Sequence, residues 1–352
     1  MEQYIGCDAH KRYSVFVAVN EKGQKSPAMR VDHSGEAMKT FLEALPPGSP
    51  IAVETMGSWY WLLDLMERSG HQPTLTHARD AKKLMGLNKT DKLDAEVLAV
   101  LLRNGVLPKV WVAPAEIRDQ RELPRTRMVM ARMRTRLKNR IHATFAKYNI
   151  LFEEVSDLFG RAGRSLLSKR LSELPSQTRC AVDSELSLLD QVQEQLNSLE
   201  ARIDQIIEKT PAMQRLMTMP GVGATLASVI ALEIGSIERF RSASALASYC
   251  GLVPRVHSSG GKTYFGQVRP DVNRYLKWAF IEVANGMVLR QKVWAKHHGV
   301  QLYLRIKERR GHPKAVVAVA RHLAEAAYWM LKKQESYRDP GFVHPTVSAN
   351  LA

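Results

Sequence analysis

Cysteine is scarce in this chain of 352 residues. Its three cysteines, Cys7, Cys180 and Cys250, lie far apart and form no CxxC pair. A disulfide framework needs an even set of cysteines, and a structural zinc site needs closely paired ones, so neither is expected here. The sequence therefore favours a reducing, cytoplasmic location.

Long apolar runs are also missing. The longest, residues 315–331, is interrupted by Arg321, His322 and Glu325, so we expect no membrane span and no membrane partner. No basic segment precedes the first apolar run, so we do not expect a signal peptide. The chain has no GxxxxGK[ST] string, which argues against an ATP-binding P-loop.

Positive charge is what the chain has in excess. There are 51 lysines and arginines against 35 aspartates and glutamates, a formal net charge of +16. Residues 118–147 hold ten basic and two acidic side chains, and residues 254–333 hold sixteen and four. One such region would be compatible with a solvated surface, but two dense regions favour a polyanionic partner, namely nucleic acid.

Apolar runs of strand length alternate with helical periodicity over the first 115 residues, a pattern typical of an α/β domain. The predicted strands cover residues 4–9, 15–20, 51–54 and 74–76, and the predicted helices cover residues 35–45, 57–69 and 90–103. Asn88 or Thr90 is the expected N-cap of the last helix.

The pattern then changes to long helices. Residues 123–148 predict one basic helix, and residues 182–209 predict a second helix whose apolar seam repeats in steps of three and four. Such a short heptad run is typical of a coiled coil, within one chain or between two, and equally of a helix in a bundle. Four arginines line one side of the first helix: Arg125, Arg132, Arg136 and Arg140.

A tight turn, Pro220-Gly221-Val222-Gly223, precedes an apolar helix that ends at Ile234. Backbone N–H groups at a helix start can hold a phosphate, although Gly-x-Gly turns more often only reverse the chain. Because a strongly basic segment lies nearby, Gly221 and Gly223 are candidates for nucleic-acid contacts.

Four acidic residues stand where an α/β fold brings side chains together. Asp8 and Glu54 end predicted strands, at the rim of the sheet where ligands bind in α/β folds. Asp91 and Asp94 are three residues apart on one predicted helix and share a face. Carboxylates suit hard divalent cations such as Mg²⁺, and two such ions can stabilise both oxygens of a phosphoryl displacement. Acids at strand ends are otherwise ordinary solvated surface.

Three strings carry a resemblance to a known family: residues 5–11 (IGCDAHK), 53–57 (VETMG) and 88–95 (NKTDKLDA). They resemble the acidic motifs of the IS110/IS1111-type insertion-sequence transposases, whose relatives include the Piv-type DNA invertases. The likeness continues through the Pro-Gly-x-Gly turn to a C-terminal serine motif. It implies a RuvC-like, RNase H-type N-terminal domain with a DEDD tetrad that binds Mg²⁺. The matching residues are Asp8, Glu54, Asp91 and Asp94.

Residues 250–262 (CGLVPRVHSSGGK) are polar and rich in glycine, and by themselves predict a flexible loop. The resemblance implies that this motif carries a serine nucleophile that forms a covalent phosphoserine link to DNA. The matching residue is Ser259, and the adjoining Ser258 is the alternative. A transferred phosphate needs positive charge around it. Three side chains can supply that charge: Arg255, Lys262 and Arg269.

The resemblance also implies the partners. Besides donor and target DNA, the family uses a noncoding bridge RNA, for which the arginine-rich helix at residues 118–147 is the candidate surface. The acids and the serine lie far apart in sequence. The resemblance therefore implies a homodimer that assembles to a tetramer, in which the acidic domain of one protomer meets the serine domain of another, and the heptad helix is the expected dimer contact.

We predict an α/β plus α chain in four parts. These are a RuvC-like metal-binding domain at 1–115, a basic helix and coiled-coil region at 116–210, a mostly helical transposase domain with the nucleophilic serine at 211–336, and a flexible tail at 337–352. The predicted function is Mg²⁺-dependent DNA strand cleavage and exchange through a phosphoserine intermediate.

Other functions fit parts of the pattern. A RuvC-like, structure-selective DNA endonuclease would use the acids and not the serine, and a Piv-type invertase would recombine DNA without a guide RNA. A sugar-kinase or actin-like ATPase also opens with an aspartate on a strand before a hairpin, but its glycine-rich phosphate loops are missing. A catalytically silent nucleic-acid-binding protein would need neither the acids nor the serine.

Overall fold

The computed structural model describes residues 3–34, 36–55, 57, 59–77, 80–81, 90–206, 210–269 and 271–341. The chain divides into two compact units, residues 1–112 and residues 113–352. Some predicted features lie outside the described residues. They are the alternative cap Asn88, the motif residues Met56 and Lys89, and residues 342–352 of the predicted tail.

A mixed five-stranded sheet forms the N-terminal unit. Its strands are β1 (Gln3–Ala9), β2 (Tyr13–Asn20), β3 (Met29–Asp32), β4 (Pro50–Glu54) and β5 (Gln72–Thr76). They lie in the order β3-β2-β1-β4-β5, with β1, β2 and β3 antiparallel and β4 parallel to both β1 and β5. The four predicted strands are confirmed. The sequence did not predict β3, because three of its four residues are exposed and leave no apolar pattern.

Helices cover both faces of this sheet, which confirms the predicted α/β organisation. Helices α1 (Ala37–Glu43) and α2 (Trp59–Arg68) pack on the face that buries Cys7 and Val53. Helix α3 (Asp91–Arg103) packs on the opposite face, against Ala52 and β2. Because successive residues of a strand point to opposite faces, the residues that follow Cys7 and Val53, namely Asp8 and Glu54, lie on the face of α3.

Gly6 permits α3 to pack closely on β1. A Cβ atom at this position would lie 1.8 Å from the carbonyl oxygen of Ala95, far inside van der Waals contact. Gly6 and Asp8 are two residues apart and therefore share a face of the sheet. The close packing at Gly6 thus brings α3 to the face and the strand that carry Asp8.

The described residues of the second unit are mostly helical and include a β-hairpin. Its helices are α4 (Ala115–Lys147), α5 (Arg161–Arg170), α6 (Ser176–Ile206), α7 (Pro211–Met217), α8 (Ala224–Ile234), α9 (Ala243–Tyr249), α10 (Arg274–Leu289), α11 (His298–Arg310) and α12 (His312–Lys333), with short 3₁₀ turns at Leu171–Glu173 and Ile237–Arg239. The hairpin strands are β6 (Val256–Ser259) and β7 (Lys262–Phe265). None of the helices in the described part of the chain is both long and apolar enough to cross a bilayer.

Helix α4 is longer than predicted. It begins at Ala115, well before the predicted start at residue 123, and it runs through Pro124. The sequence pattern missed the first turns because two of the residues buried there are Arg118 and Arg121, which leave no apolar periodicity. Pro124 has no backbone N–H, so its place in the helix costs one backbone hydrogen bond.

Helix α6 packs against α4 of the same chain and runs antiparallel to it. Arg127 pairs with Glu200 near one end of the helix pair, and Arg140 pairs with Glu185 toward the other. The buried residues of the α6 seam include Leu189, Val192, Leu196 and Ile203. The intrachain alternative is therefore confirmed. Because the seam is buried within one chain, a dimer contact through the heptad helix would have to use the exposed side of α6, and that contact stays a prediction.

Candidate functional site

Two of the predicted acids leave the sheet at the same edge. Strands β1 and β4 are parallel, and Cys7 stands opposite Val53 in the register. The next residue of each strand, Asp8 and Glu54, therefore emerges at the carboxyl edge of the sheet. The two acids are 46 positions apart in the sequence, so it is the pairing of β1 with β4 that places them at the same edge.

The other two acids lie in the first turn of α3. Thr90 caps this helix as predicted, and its Oγ1 accepts a hydrogen bond from the backbone N–H of Leu93 at 3.2 Å. Asp91 and Asp94 follow directly. Acidic side chains are favourable here because the N-terminal end of a helix carries partial positive charge.

Asp8 and Asp91 meet at one histidine. The Nε2 atom of His10 lies 3.1 Å from Oδ2 of Asp8 and 3.1 Å from Oδ2 of Asp91. One donor atom from each of these three residues lies within 4.8 Å of the others. Tyr13 supports the cluster, because its hydroxyl donates a hydrogen bond of 3.0 Å to Oδ2 of Asp91. His10 was not among the predicted site residues, although its Asp-x-His spacing at a strand end was a usable signal.

The electrostatics connect all four predicted acids. Burial raises the pKa of Asp8 to about 6; the neighbouring His10 opposes the rise, and the negative charges of Asp94, Asp91 and Glu54 add to it. Glu54 and Asp94 thus act on Asp8 through charge, but among the residues that the structure describes the compact donor cluster contains only Asp8, His10 and Asp91. Carboxylate oxygens crowded in this way are the donor set that a divalent cation would neutralise.

The serine motif forms a β-hairpin, so the prediction of a flexible loop is wrong. Gly260 and Gly261 both have positive φ, +57° and +74°, and form the two-residue turn that joins β6 to β7. Such a turn matches the twist of the two strands. In the register Ser259 stands opposite Lys262 and Ser258 stands opposite Thr263. Both serines are exposed to solvent.

The hairpin is closed at its base by backbone hydrogen bonds. The N–H of Arg255 donates to the carbonyl of Gln267 at 3.3 Å, and the N–H of Gly266 donates to the carbonyl of Arg255 at 2.8 Å. The side chains of Arg255 and Lys262 are exposed. Arg269 is engaged locally, since its Nη2 lies 2.6 Å from Oδ2 of Asp271.

The predicted glycine turn does start a helix. Gly221 has a positive φ of +84°, and Gly223 is the N-cap of α8 with no side-chain capping bond. A Cβ atom at Gly223 would meet no atom within 4 Å, so the space around this position is open. The first N–H groups of α8 therefore have no capping side chain and have room for an anion.

The four predicted arginines of α4 lie in two different environments. Arg132 and Arg136 are exposed, and Arg140 is 71% exposed while it pairs with Glu185. Arg125 instead faces inward and grips the buried Glu233 with two hydrogen bonds, Nε at 2.6 Å and Nη2 at 3.1 Å. Arg125 thus serves internal packing, whereas the other three remain on the surface.

Glu233 is the centre of a buried polar network that was not predicted from the sequence. Its side chain is 2% exposed, and besides Arg125 it accepts a 2.8 Å hydrogen bond from Nδ2 of Asn273. Arg121 donates to the adjacent carbonyl of Leu232 at 2.9 Å. A buried carboxylate needs such partners, and here they join α4, α8 and the start of α10.

An open basic groove lies between α4 and α10. It consists of two adjoining pockets that share Arg132 and Trp278. Arg274 and Lys277 line one of them, and Arg136 and the acidic Glu282 line the other. The two basic residues and the tryptophan from α10 were not predicted as contacts; their signal is a pair of basic residues three positions apart beside a tryptophan, directly after the N-cap Asn273. Cations with an aromatic face are typical of surfaces that bind single-stranded nucleic acid.

Two family models match this chain. A model described as a transposase, of the DEDD type named for IS110, matches residues 5–150. A model described as the transposase IS116/IS110/IS902 family matches residues 213–299. The first match contains the four acids, and the second contains Gly221, Gly223 and Ser259.

Relatives extend over nearly the whole chain. It is 24% identical to the transposase for insertion sequence element IS1111A of Coxiella burnetii, over 95% of this chain and 91% of that protein. It is also 24% identical to the transposase for insertion sequence element IS1328 of Yersinia enterocolitica, over 94% of this chain and 96% of that protein. A shorter match, 39% identical over 69 residues, covers 18% of this chain and 21% of the pilin gene-inverting protein of Moraxella bovis.

Proposed function

Because the chain belongs to the IS116/IS110/IS902 family of transposases, we propose that it cuts and rejoins DNA with a metal site on the N-terminal sheet and a serine nucleophile on the C-terminal hairpin. The observation that carries the proposal is the meeting of Asp8 and Asp91, each with Oδ2 at 3.1 Å from the same nitrogen. The strand order β3-β2-β1-β4-β5, with acids ending β1 and β4, supports a RuvC-like, RNase H-type fold.

We assign metal binding to Asp8 and Asp91, with Glu54 and Asp94 adding negative charge, and Mg²⁺ is the ion expected from the sequence. A divalent cation held there would stabilise the charge that develops on a phosphodiester under attack. The chain's own residues prepare the site. Tyr13 holds Asp91 by a hydrogen bond, and the close packing at Gly6 brings α3 to the strand that carries Asp8.

We assign the nucleophile to Ser259. Its Oγ forms a bond to the phosphorus of a DNA phosphodiester while the bond from that phosphorus to one deoxyribose oxygen breaks. The serine proton leaves to a base or to solvent, and the departing oxygen takes up a proton. Attack by a second strand's hydroxyl reverses these steps and joins the strands, so no high-energy cofactor is needed.

The hairpin register favours Ser259 over Ser258. Residues paired across two antiparallel strands share a face of the ribbon, so Ser259 shares its face with Lys262, whereas Ser258 shares the other with Thr263. The ammonium group of Lys262 would stand beside the phosphate that Ser259 carries, and positive charge at that place stabilises the transferred group.

Nucleic acid would also contact other places. The open start of α8 at Gly221 and Gly223 offers N–H groups for DNA phosphates, and the exposed Arg255 at the base of the hairpin offers positive charge. The basic groove with Arg132 and Arg136, and the neighbouring Arg140, is the surface that we assign to a noncoding guide RNA. Trp278 in the groove adds a face on which an unpaired base can stack.

Charge reversal tests the RNA surface. The triple change Arg132→Glu, Arg136→Glu and Arg140→Glu should abolish retention of the candidate RNA in a pull-down, because it replaces three phosphate-binding cations with anions. The charge-matched control changes three exposed arginines of α11 to glutamate: Arg305, Arg309 and Arg310. Equal retention by the wild-type chain and the α4 variant would contradict the assignment.

One experiment tests the recombinase itself. The purified chain is incubated with candidate RNA, labelled DNA and Mg²⁺, then denatured and examined for DNA covalently attached to protein. We expect an adduct with the wild-type chain and with Ser258→Ala, and none with Ser259→Ala or Asp8→Ala. Cleavage without any adduct, surviving Ser259→Ala, would indicate a metal-dependent nuclease instead.

Site-specific inversion is the second candidate. It is favoured by the match to the pilin gene-inverting protein of Moraxella bovis. The same chemistry would then act on two sites within one DNA molecule, without a guide RNA. Adduct formation that does not change when RNA is omitted would favour inversion over an RNA-guided reaction.

A further inference from the structure

His10 lies at the metal site without belonging to the predicted tetrad. It follows the last residue of β1, and its backbone N–H donates to the carbonyl of Tyr13 at 2.9 Å, which closes the turn into β2. Its ring packs on the ring of Tyr13, with the centroids 4.6 Å apart. The turn and the tyrosine together orient the imidazole toward Asp8 and Asp91.

The Nε2 atom of His10 is buried, and neither carboxylate makes a well-aligned hydrogen bond to it. Yet both carboxylate oxygens lie only 3.1 Å away. Three donor atoms thus lie close together, and the imidazole nitrogen among them has no hydrogen bond that satisfies it. Ligands at right angles around one ion, each about 2.1–2.2 Å from it, are themselves about 3 Å apart, which is the spacing found here.

We propose that His10 is a metal ligand, so that this chain binds its divalent cation through one imidazole nitrogen and two carboxylate oxygens and holds Mn²⁺ more tightly than Mg²⁺. This inference rests on the proposed function, because it takes the acidic edge of the sheet to be a metal site. Mg²⁺ prefers oxygen ligands and gains little from an imidazole, whereas Mn²⁺ accepts both kinds of donor.

Tyr13 completes the arrangement. It packs on the imidazole with its ring and donates a hydrogen bond to Asp91 with its hydroxyl. Contacts of this kind restrict the orientation of a ligating side chain and strengthen metal binding. The guanidinium carbon of Arg30 lies 3.8 Å from the centroid of the Tyr13 ring and helps to hold that ring in place.

The test measures metal binding to the full chain without DNA. Electron paramagnetic resonance of free Mn²⁺ gives the affinity for Mn²⁺, and competition gives the affinity for Mg²⁺. Pulsed resonance of the frozen complex detects coupling between bound Mn²⁺ and a directly coordinated histidine nitrogen. Labelling the histidines with ¹⁵N identifies that coupling in the wild-type chain, so the result does not depend on a variant that folds.

We expect histidine nitrogen coupling in the wild-type chain and in the control His33→Ala. His33 belongs to the same unit, but its Nε2 pairs with the hydroxyl of Ser14 at 2.7 Å. In His10→Ala the coupling should vanish, with Mn²⁺ affinity reduced on the order of tenfold and Mg²⁺ affinity reduced less than about threefold. Circular dichroism spectra confirm that the variants are folded.

Two results would overturn the inference, and they differ in what they mean for the proposed function. If Mn²⁺ binds without histidine coupling, and the binding is lost in Asp8→Asn, His10 is not a ligand and the metal-dependent function stands. If the wild-type chain binds no more Mn²⁺ than the Asp8→Asn variant does, there is no metal site at these residues, and the proposed function is contradicted as well.

Discussion

At the scale of single residues, position in the fold decides which of several similar side chains take part in the site. Arg125 and Arg132 are seven positions apart on α4, yet one grips a buried carboxylate and the other lines an open groove. Asp8 owes its importance to the alternation along β1, which turns it away from the core that buries Cys7. His10 lies beyond the end of β1 and is not one of the four acids from which the metal site was predicted.

Asp8 should make the metal-free chain less stable at neutral pH. Its pKa is about 6 in the folded chain, above its ordinary value, because of burial and the nearby acids Asp91, Asp94 and Glu54, opposed in part by His10. The folded chain therefore holds this proton more tightly than the unfolded chain, so stability is lost as the pH rises from about 4 to about 6, and the loss persists at pH 7.

The change Asp8→Asn removes that loss. In EDTA at pH 7 it should raise the free energy of unfolding by roughly 1–2 kcal/mol, after allowance for solvent screening, and it should have little effect near pH 4. Urea unfolding at the two pH values checks this. Asp32→Asn is the control, since Asp32 is exposed in the same unit and should change stability by less than about 0.5 kcal/mol. A stabilisation of equal size at both pH values would contradict the pKa argument.

At the scale of elements, one local feature in each unit positions the candidate residues of that unit. One is the contact of α3 with β1, which requires a glycine at position 6. The other is the turn at Gly260 and Gly261, which converts a polar segment into a hairpin and sets Ser259 opposite Lys262. The hairpin was predictable in part, because Gly-Gly between two short runs is a turn signal. The α3 contact was not, because only the packed structure identifies the helix that approaches Gly6.

Gly6→Ala should disrupt the N-terminal unit. The new Cβ would lie 1.8 Å from the Ala95 carbonyl oxygen, so the helix or the strand must move, at a cost of more than about 3 kcal/mol. Hydrogen exchange of β1 amides, followed by mass spectrometry, measures the loss of protection. Gly57→Ala is the matched control, because a Cβ there meets no atom within 4 Å. Equal protection in the two variants would mean that α3 does not pack tightly on β1.

At the scale of the whole molecule, the residues of the proposed reaction are divided between the two units. The acids and His10 belong to residues 1–112, and the serine hairpin and both strongly basic regions belong to residues 113–352. The first unit thus offers donors for a cation, and the second offers positive charge for nucleic acid. The apolar seam of α6 is covered by α4 within one chain, so a dimer, if it forms as proposed, must use another surface.

Mixing two inactive variants tests the proposal that acids and serine from different protomers act together. Asp8→Ala and Ser259→Ala are each expected to form no DNA adduct alone. After mixing and exchange of protomers, a mixed assembly contains one intact acidic domain and one intact serine, so adduct formation should recover to a fraction of the wild-type level. The adduct should form on the Asp8→Ala chain, which a size tag identifies. No recovery under conditions in which tagged protomers do exchange would contradict the proposal.

The sequence by itself determined the alternation of strands and helices in the first unit, the capped start of α3, the two long helices and the excess of positive charge, because each depends on local periodicity, capping or composition. Only the tertiary structure decided which groups meet. The strand order brought Asp8 beside Glu54, the packing at Gly6 brought α3 to the face of Asp8, and the turn after β1 directed His10 toward two carboxylates. The tertiary structure likewise decided the partners of Glu233, which lies in an apolar helix, and the packing of the α6 seam against α4. These contacts join residues that are distant in the chain, and their energies depend on burial and on partners that no local pattern contains.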